Sequence, residues 1–249
     1  MLNKQYKIFD DTLGFSNLFN EPINYELVEI MKKVKKIWFG YFFNQSIERI
    51  PHNITHIWFD NHFNQPVASL HEGIEYLSFK CDFNQPLDNL PSTLKILKLR
   101  GLFFQQPLDN LPLGLEELVI GSQYNQPIDL LPIGLKKLRF VEGSIFSQPL
   151  DNLPQTLQYL EIPSNYPNKI NYLPDSIEEL LIGVKKSKKD MIYYLENETE
   201  SSFNQKIKNI PGKLQKVYIF MKYHYIFQCK KMFGDKLQVV KNTKYQFHT

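Results

Sequence analysis

Apolar residues recur along this chain at fixed offsets from a series of aromatic residues: Phe19, Phe43, Phe63, Phe83, Phe104, Tyr124, Phe146, Tyr166 and Phe203. With each aromatic as position 0, positions +4, +7, +11, +14 and +16 are apolar in all eight units from Phe43 onward, as in Leu87, Leu90, Leu94, Leu97 and Leu99. The first unit supplies Val34, Ile37 and Phe39 at the same mutual spacing. The steps between successive aromatics are 24, 20, 20, 21, 20, 22, 20 and 37 residues. A period near 20 with this much agreement is the signature of a stacked repeat. Positions +14 and +16 lie two apart, so they share one face of a short strand while +13, +15 and +17 face the other way.

Proline follows position +7 in every one of these eight units except where His71 stands, and most units carry a second proline at +3. Proline fixes φ and removes a backbone donor. The return half of each unit is therefore expected to be extended or to hold a single 3₁₀-like turn. One such coil has too few inward side chains to offset the ordering of twenty residues, and must stack on neighbours. The pattern predicts an all-β-like solenoid, a right-handed coil with a parallel sheet of about nine short strands and little helix. The Asn at +1 (Asn44, Asn64, Asn84, Asn125, Asn204) is expected to form a structural ladder by bonding to backbone left unpaired at the turns.

The run Phe83 to Pro91, Phe-Asn-Gln-Pro-Leu-x-x-Leu-Pro, followed by Leu94, Leu97 and Leu99, resembles the FNIP-repeat family, a subclass of leucine-rich repeats. The likeness extends over about residues 19–220, with Gln in place of Ile at the third position of most tetrapeptides. It implies a protein-interaction scaffold. Such repeats often follow an F-box, but residues 1–18 are too short for one, and a ubiquitin-ligase role is not carried over. Residues 1–18 read as an N-terminal cap that uses Ile8, Phe9, Leu13, Phe15 and Leu18.

Two regions leave the pattern. An insertion at about 183–202 holds four lysines and then Glu196, Glu198 and Glu200, and is expected to loop out from the stack. Residues 221–249 lose the repeat and read as a basic C-terminal cap, with strands at Met221 to Phe227 and Leu237 to Val240. Residues 206–249 carry ten lysines and one acid, a local +9 in a chain whose total is +3. That excess makes binding of nucleic acid or another polyanion the alternative function.

The outward strand positions are the expected interaction face. They gather Trp38, His56, Trp58 and Tyr76 into an aromatic patch and Lys80, Lys98, Arg100, Lys137 and Arg139 into a basic middle. Both tryptophans of the chain fall in one column on neighbouring strands, so their rings are expected to stack or lie offset on the outward side of the sheet. Clustered exposed aromatics are what protein-binding surfaces use.

Catalysis is not expected. Glu161 and Glu179 fall near each other on the sheet face but beside Arg139 and Lys216, which makes ion pairing the simpler reading. His52, His56, His62 and His71 scatter around the coil, so no metal site is expected, and neither a phosphate loop nor a nucleophile motif calls for a cofactor. Two cysteines and no long apolar run suggest a cytoplasmic protein without a disulfide framework.

Overall fold

A computed structural model describes residues 5–183, 207–219 and 231–239. A hairpin opens the chain, β1 (Tyr6–Phe9) and β2 (Thr12–Phe15), followed by a short helix α1 (Tyr25–Met31). Nine repeat strands follow: β3 (Lys36–Phe39), β4 (His56–Phe59), β5 (Tyr76–Phe79), β6 (Ile96–Leu99), β7 (Glu117–Ile120), β8 (Lys137–Phe140), β9 (Tyr159–Ile162), β10 (Glu179–Ile182) and β11 (Lys216–Ile219). A 3₁₀ turn, Gly234–Lys236, leads into β12 (Leu237–Val239). All twelve strands form one sheet in chain order, and only the β1–β2 pair is antiparallel. Among the described residues no helix is long and apolar enough to cross a membrane.

The structure is the expected β-solenoid of about nine turns with little helix. Its register follows the repeat: Ile37, Ile57, Leu77, Leu97, Leu118, Leu138, Leu160, Leu180 and Val217 form one inward ladder, each with no exposed surface. Leu180 pairs with Val217 although 37 residues separate them, so the insertion leaves the stacking intact. The insertion itself and the expected strand at Met221 to Phe227 lie outside the described residues.

Two aromatic columns run through the core. At position 0, Phe43, Phe63, Phe83 and Phe104 stack with ring centroids 6.0–6.2 Å apart. Phe59 and Phe79 at +16, with Phe39 in the equivalent place of the first unit, stack at 5.3 Å and lean on the first column at 3.7–4.0 Å. The prolines at +8 begin the 3₁₀-like turn, since Leu94, Leu115 and Leu135 each donate a backbone N–H to the proline three residues earlier. The asparagine ladder forms as expected. Asn44 Oδ1 accepts from Asn64 N at 3.0 Å, Asn64 from Asn84 N at 2.9 Å and Asn84 from Gln105 N at 2.9 Å. The glutamine at +2 donates to the same oxygens, as Gln65 does to Asn44 at 3.0 Å.

Three expectations are corrected. First, the 24-residue opening unit carries α1 in its return. Asn24 Oδ1 caps it by accepting from Leu27 N at 3.0 Å, and Leu27 and Met31, four apart, face the core. Second, of the five cap residues only Leu13 and Phe15 are buried. Ile8, Phe9 and Leu18 are exposed. Third, position +15 is not uniformly open: Ser78, Val119, Glu161 and Leu181 are buried by longer neighbours on adjacent strands.

Candidate partner-binding face

The parallel register fixes which outward side chains meet. Trp38 pairs with Trp58, and Lys36, His56 and Tyr76 form the neighbouring column. His56 and Tyr76 stack at 5.5 Å with an 11° tilt. The Trp58 ring sits 4.9 Å from Tyr76 and 5.9 Å from His56. Of the two expected arrangements, stacked or offset, a stacked Trp38–Trp58 pair is not adopted, since Trp58 turns toward Tyr76. Trp38 is 42% exposed, and its indole lies beside Gly14, where an added Cβ would stand 3.6 Å from Cε3. Glycine there leaves the indole a shelf rather than a lid, so the hairpin does not cover it.

Phe9 extends this patch and was assigned inward from the sequence. Its register partner Thr12 pairs with Lys36, so Phe9 continues the Lys36–His56–Tyr76 column and is 64% exposed. The signal was present in Asp10-Asp11, a tight turn in which Asp10 takes φ 53°. A two-residue turn sets the hairpin pairing, and the pairing decides which β1 side chains face outward.

The basic middle is built of paired cations. Lys80 Nζ lies 2.9 Å from Asp60, and Arg139 Nε donates to Glu161 at 2.9 Å. Lys98 Nζ lies 3.7 Å from Glu117 and 5.2 Å above the Tyr76 ring, a cation–π contact that joins the two halves of the face. Arg100 and Lys137 are exposed. Glu161 and Glu179 hold Arg139 and Lys216 rather than each other. Of the four clustered histidines only His56 is on this face. His62 bonds Asp82 at 2.6 Å and stacks on Phe42, and His52 lies against His71.

Burial controls the ionisation of this surface. It lowers the His56 pKa, helped by the nearby Lys36 charge, so His56 is neutral at pH 7. It raises the Glu161 carboxyl against the pull of Arg139, while Glu161 Oε1 has no hydrogen-bond partner. Tyr159, beside this pair, is pushed up to about 12 by burial. A raised carboxyl means that the folded state binds the proton more tightly than the unfolded chain. Its contribution therefore falls as pH rises from the ordinary value through the raised one. Glu161→Gln abolishes that slope. Thermal melts between about pH 4 and pH 8 are expected to show the variant gaining on the wild type as pH rises. Parallel curves would contradict the buried, weakly acidic carboxyl.

Residues 104–143 match the FNIP Repeat family. The structure is similar to the crystal structure of CroV588, described as a novel circular LRR protein. That match has a TM-score of 0.61 and 29% identity, and covers 87% of this chain and 38% of the other. The chain thus spans well under half of that protein's length. No curated protein matches the chain. The solenoid is similar to leucine-rich-repeat folds and carries one stretch that matches the FNIP repeat; folds of this kind generally serve as protein-interaction scaffolds.

Proposed function

We propose that this chain is a non-enzymatic scaffold that captures a protein partner on the outward face of its sheet. Trp38, His56, Trp58 and Tyr76 form the anchor, and Lys80, Lys98, Arg100, Lys137 and Arg139 form its charged flank. The supporting observation is the packing of Trp58, Tyr76 and His56 into one cluster beside the half-exposed Trp38, with Lys98 over Tyr76. Tryptophan and tyrosine dominate binding hot spots because they bring much area at little entropic cost. The strands hold these rings on a rigid backbone, so little ordering is left to do at contact.

Pull-down of native-cell extract with the intact chain and with the Trp38→Ala, Trp58→Ala double variant tests this reading. Each ring is expected to be worth about 2 kcal/mol, so capture should fall by more than about tenfold. The melt should stay nearly unchanged, since both rings lie outside the coil. Undiminished capture by the folded double variant would reject the sheet face as the docking surface. The alternative, polyanion binding through the lysine-rich end, falls half outside the described residues and would instead show steep loss of binding with salt.

A further inference from the structure

The cations and acids of this face are layered. The Asp60 side chain is 8% exposed while its partner Lys80 is 50% exposed, and Glu161 is fully buried beneath Arg139 at 37%. The acids are hidden under the cations they hold. The other pairs are level: Lys98 and Glu117 are both at 18%, Lys36 and Asp11 at 35% and 47%, and Lys216 and Glu179 at 45% and 40%. The Lys80 and Arg139 ends of these pairs therefore face outward between β5 and β8, where the exposed Lys137 adds to them. A buried acid also fixes its cation in place, which reduces the side-chain entropy lost when a ligand arrives.

Given the sheet-face reading above, on which this rests, we propose that the partner presents an acidic, extended segment lying across the strands. An apolar or aromatic residue of the segment seats on Trp38, Trp58 and Tyr76, and carboxylates a few residues away meet Lys80, Lys137 and Arg139. Tyr76 on β5 and Arg139 on β8 are three strand steps apart, about 14 Å. Four or five residues of extended chain cover that span. The backbone groups of β4 to β8 are taken up by the sheet ladder, so the segment is read by side chains and not by strand addition. A nucleic acid fits less well. Its affinity would come from phosphates along the whole strand, whereas the cations between β5 and β8 are a few side chains beside an aromatic anchor, a set that a peptide with a few carboxylates matches.

The test is selection of a phage-displayed random dodecapeptide library on the immobilised full chain, followed by fluorescence polarisation with the enriched peptides. Enriched sequences are expected to carry Trp, Phe or Leu with two or more Asp or Glu within about five residues. Replacing those acids by Asn and Gln should weaken binding about tenfold. Arg139→Gln with Glu161→Gln removes the outward cation together with its buried partner and should weaken binding several-fold. Lys137→Gln, at an exposed position, provides a second charge deletion if that double variant fails to fold. Neutral or basic peptides whose binding still collapses in the Trp38→Ala, Trp58→Ala variant would overturn the acidic-segment inference and leave the docking face standing. Selected peptides indifferent to both tryptophans would remove both. Acidic peptides unaffected by either charge deletion, or displaced by an oligothymidine that binds independently of the tryptophans, would also overturn the inference.

Discussion

Leu118→Ala is expected to lower the stability of the solenoid by about 2–5 kcal/mol, the range for emptying a leucine site in a core that cannot collapse. Leu118 has no exposed surface and stands in the inward ladder between Leu97 on β6 and Leu138 on β8. Parallel hydrogen bonding fixes both neighbouring strands in register, so neither coil is free to move into the void. The site is also in the middle of a stack whose coils contact mainly their neighbours, where a weak interface separates two blocks. The calorimetric melt should shift downward, and in the strongest case divide into two transitions. A midpoint equal to that of the wild type would mean that position +14 does not point into the coil.

The inward frame was legible because it depends on offsets within one repeat and recurs unit after unit. Leu94, Leu97 and Leu99 lie where their spacing put them, and the asparagine ladder follows from one residue type returning at one offset. The outward face was legible only as a set of columns. Which members of a column are covered depends on side chains one strand away. Ser78 is buried beside the bulky Trp58, Tyr76 and Lys98, and Glu161 lies under Arg139. Register fixes the backbone neighbours but not the rotamers, which is why Trp58 turns to Tyr76 rather than to Trp38. The helix α1 had its own local signals, Asn24 as cap and Leu27 with Met31 four residues on, inside a 24-residue step that a periodic reading treats as a slip. Phe9 was missed for a related reason. The repeat frame says nothing about an antiparallel hairpin, and one tight turn reverses the sense in which inward and outward are counted.

The close approach of successive coils makes a separate demand, and Gly121→Ala is expected to expose it. Alanine for glycine ordinarily stabilises by about 0.4–1 kcal/mol through the unfolded chain where the backbone angles permit it. Gly121 has an ordinary φ, yet a Cβ there would collide with the Gly101 carbonyl oxygen and stand 2.8 Å from that of Leu99. The same approach occurs at Gly40, which stands just after β3 as Gly121 stands just after β7 and whose added Cβ would collide with the Ser16 carbonyl, so the residue after the strand packs directly on the backbone of the preceding coil. The obstacle is backbone, which has no rotamer to give, and the ladders on either side hold the coil spacing. Overpacking of this kind costs about 1–3 kcal/mol or more, enough to reverse the usual sign. Gly212→Ala is the control, since its nearest atom would be Asp175 Oδ1 at 3.9 Å, an ordinary contact. Paired melts should show Gly121→Ala clearly destabilised and Gly212→Ala near or above the wild type. Equal midpoints for the two would show that the coils slide apart freely at Gly121, against the rigid spacing that the aromatic and asparagine ladders imply.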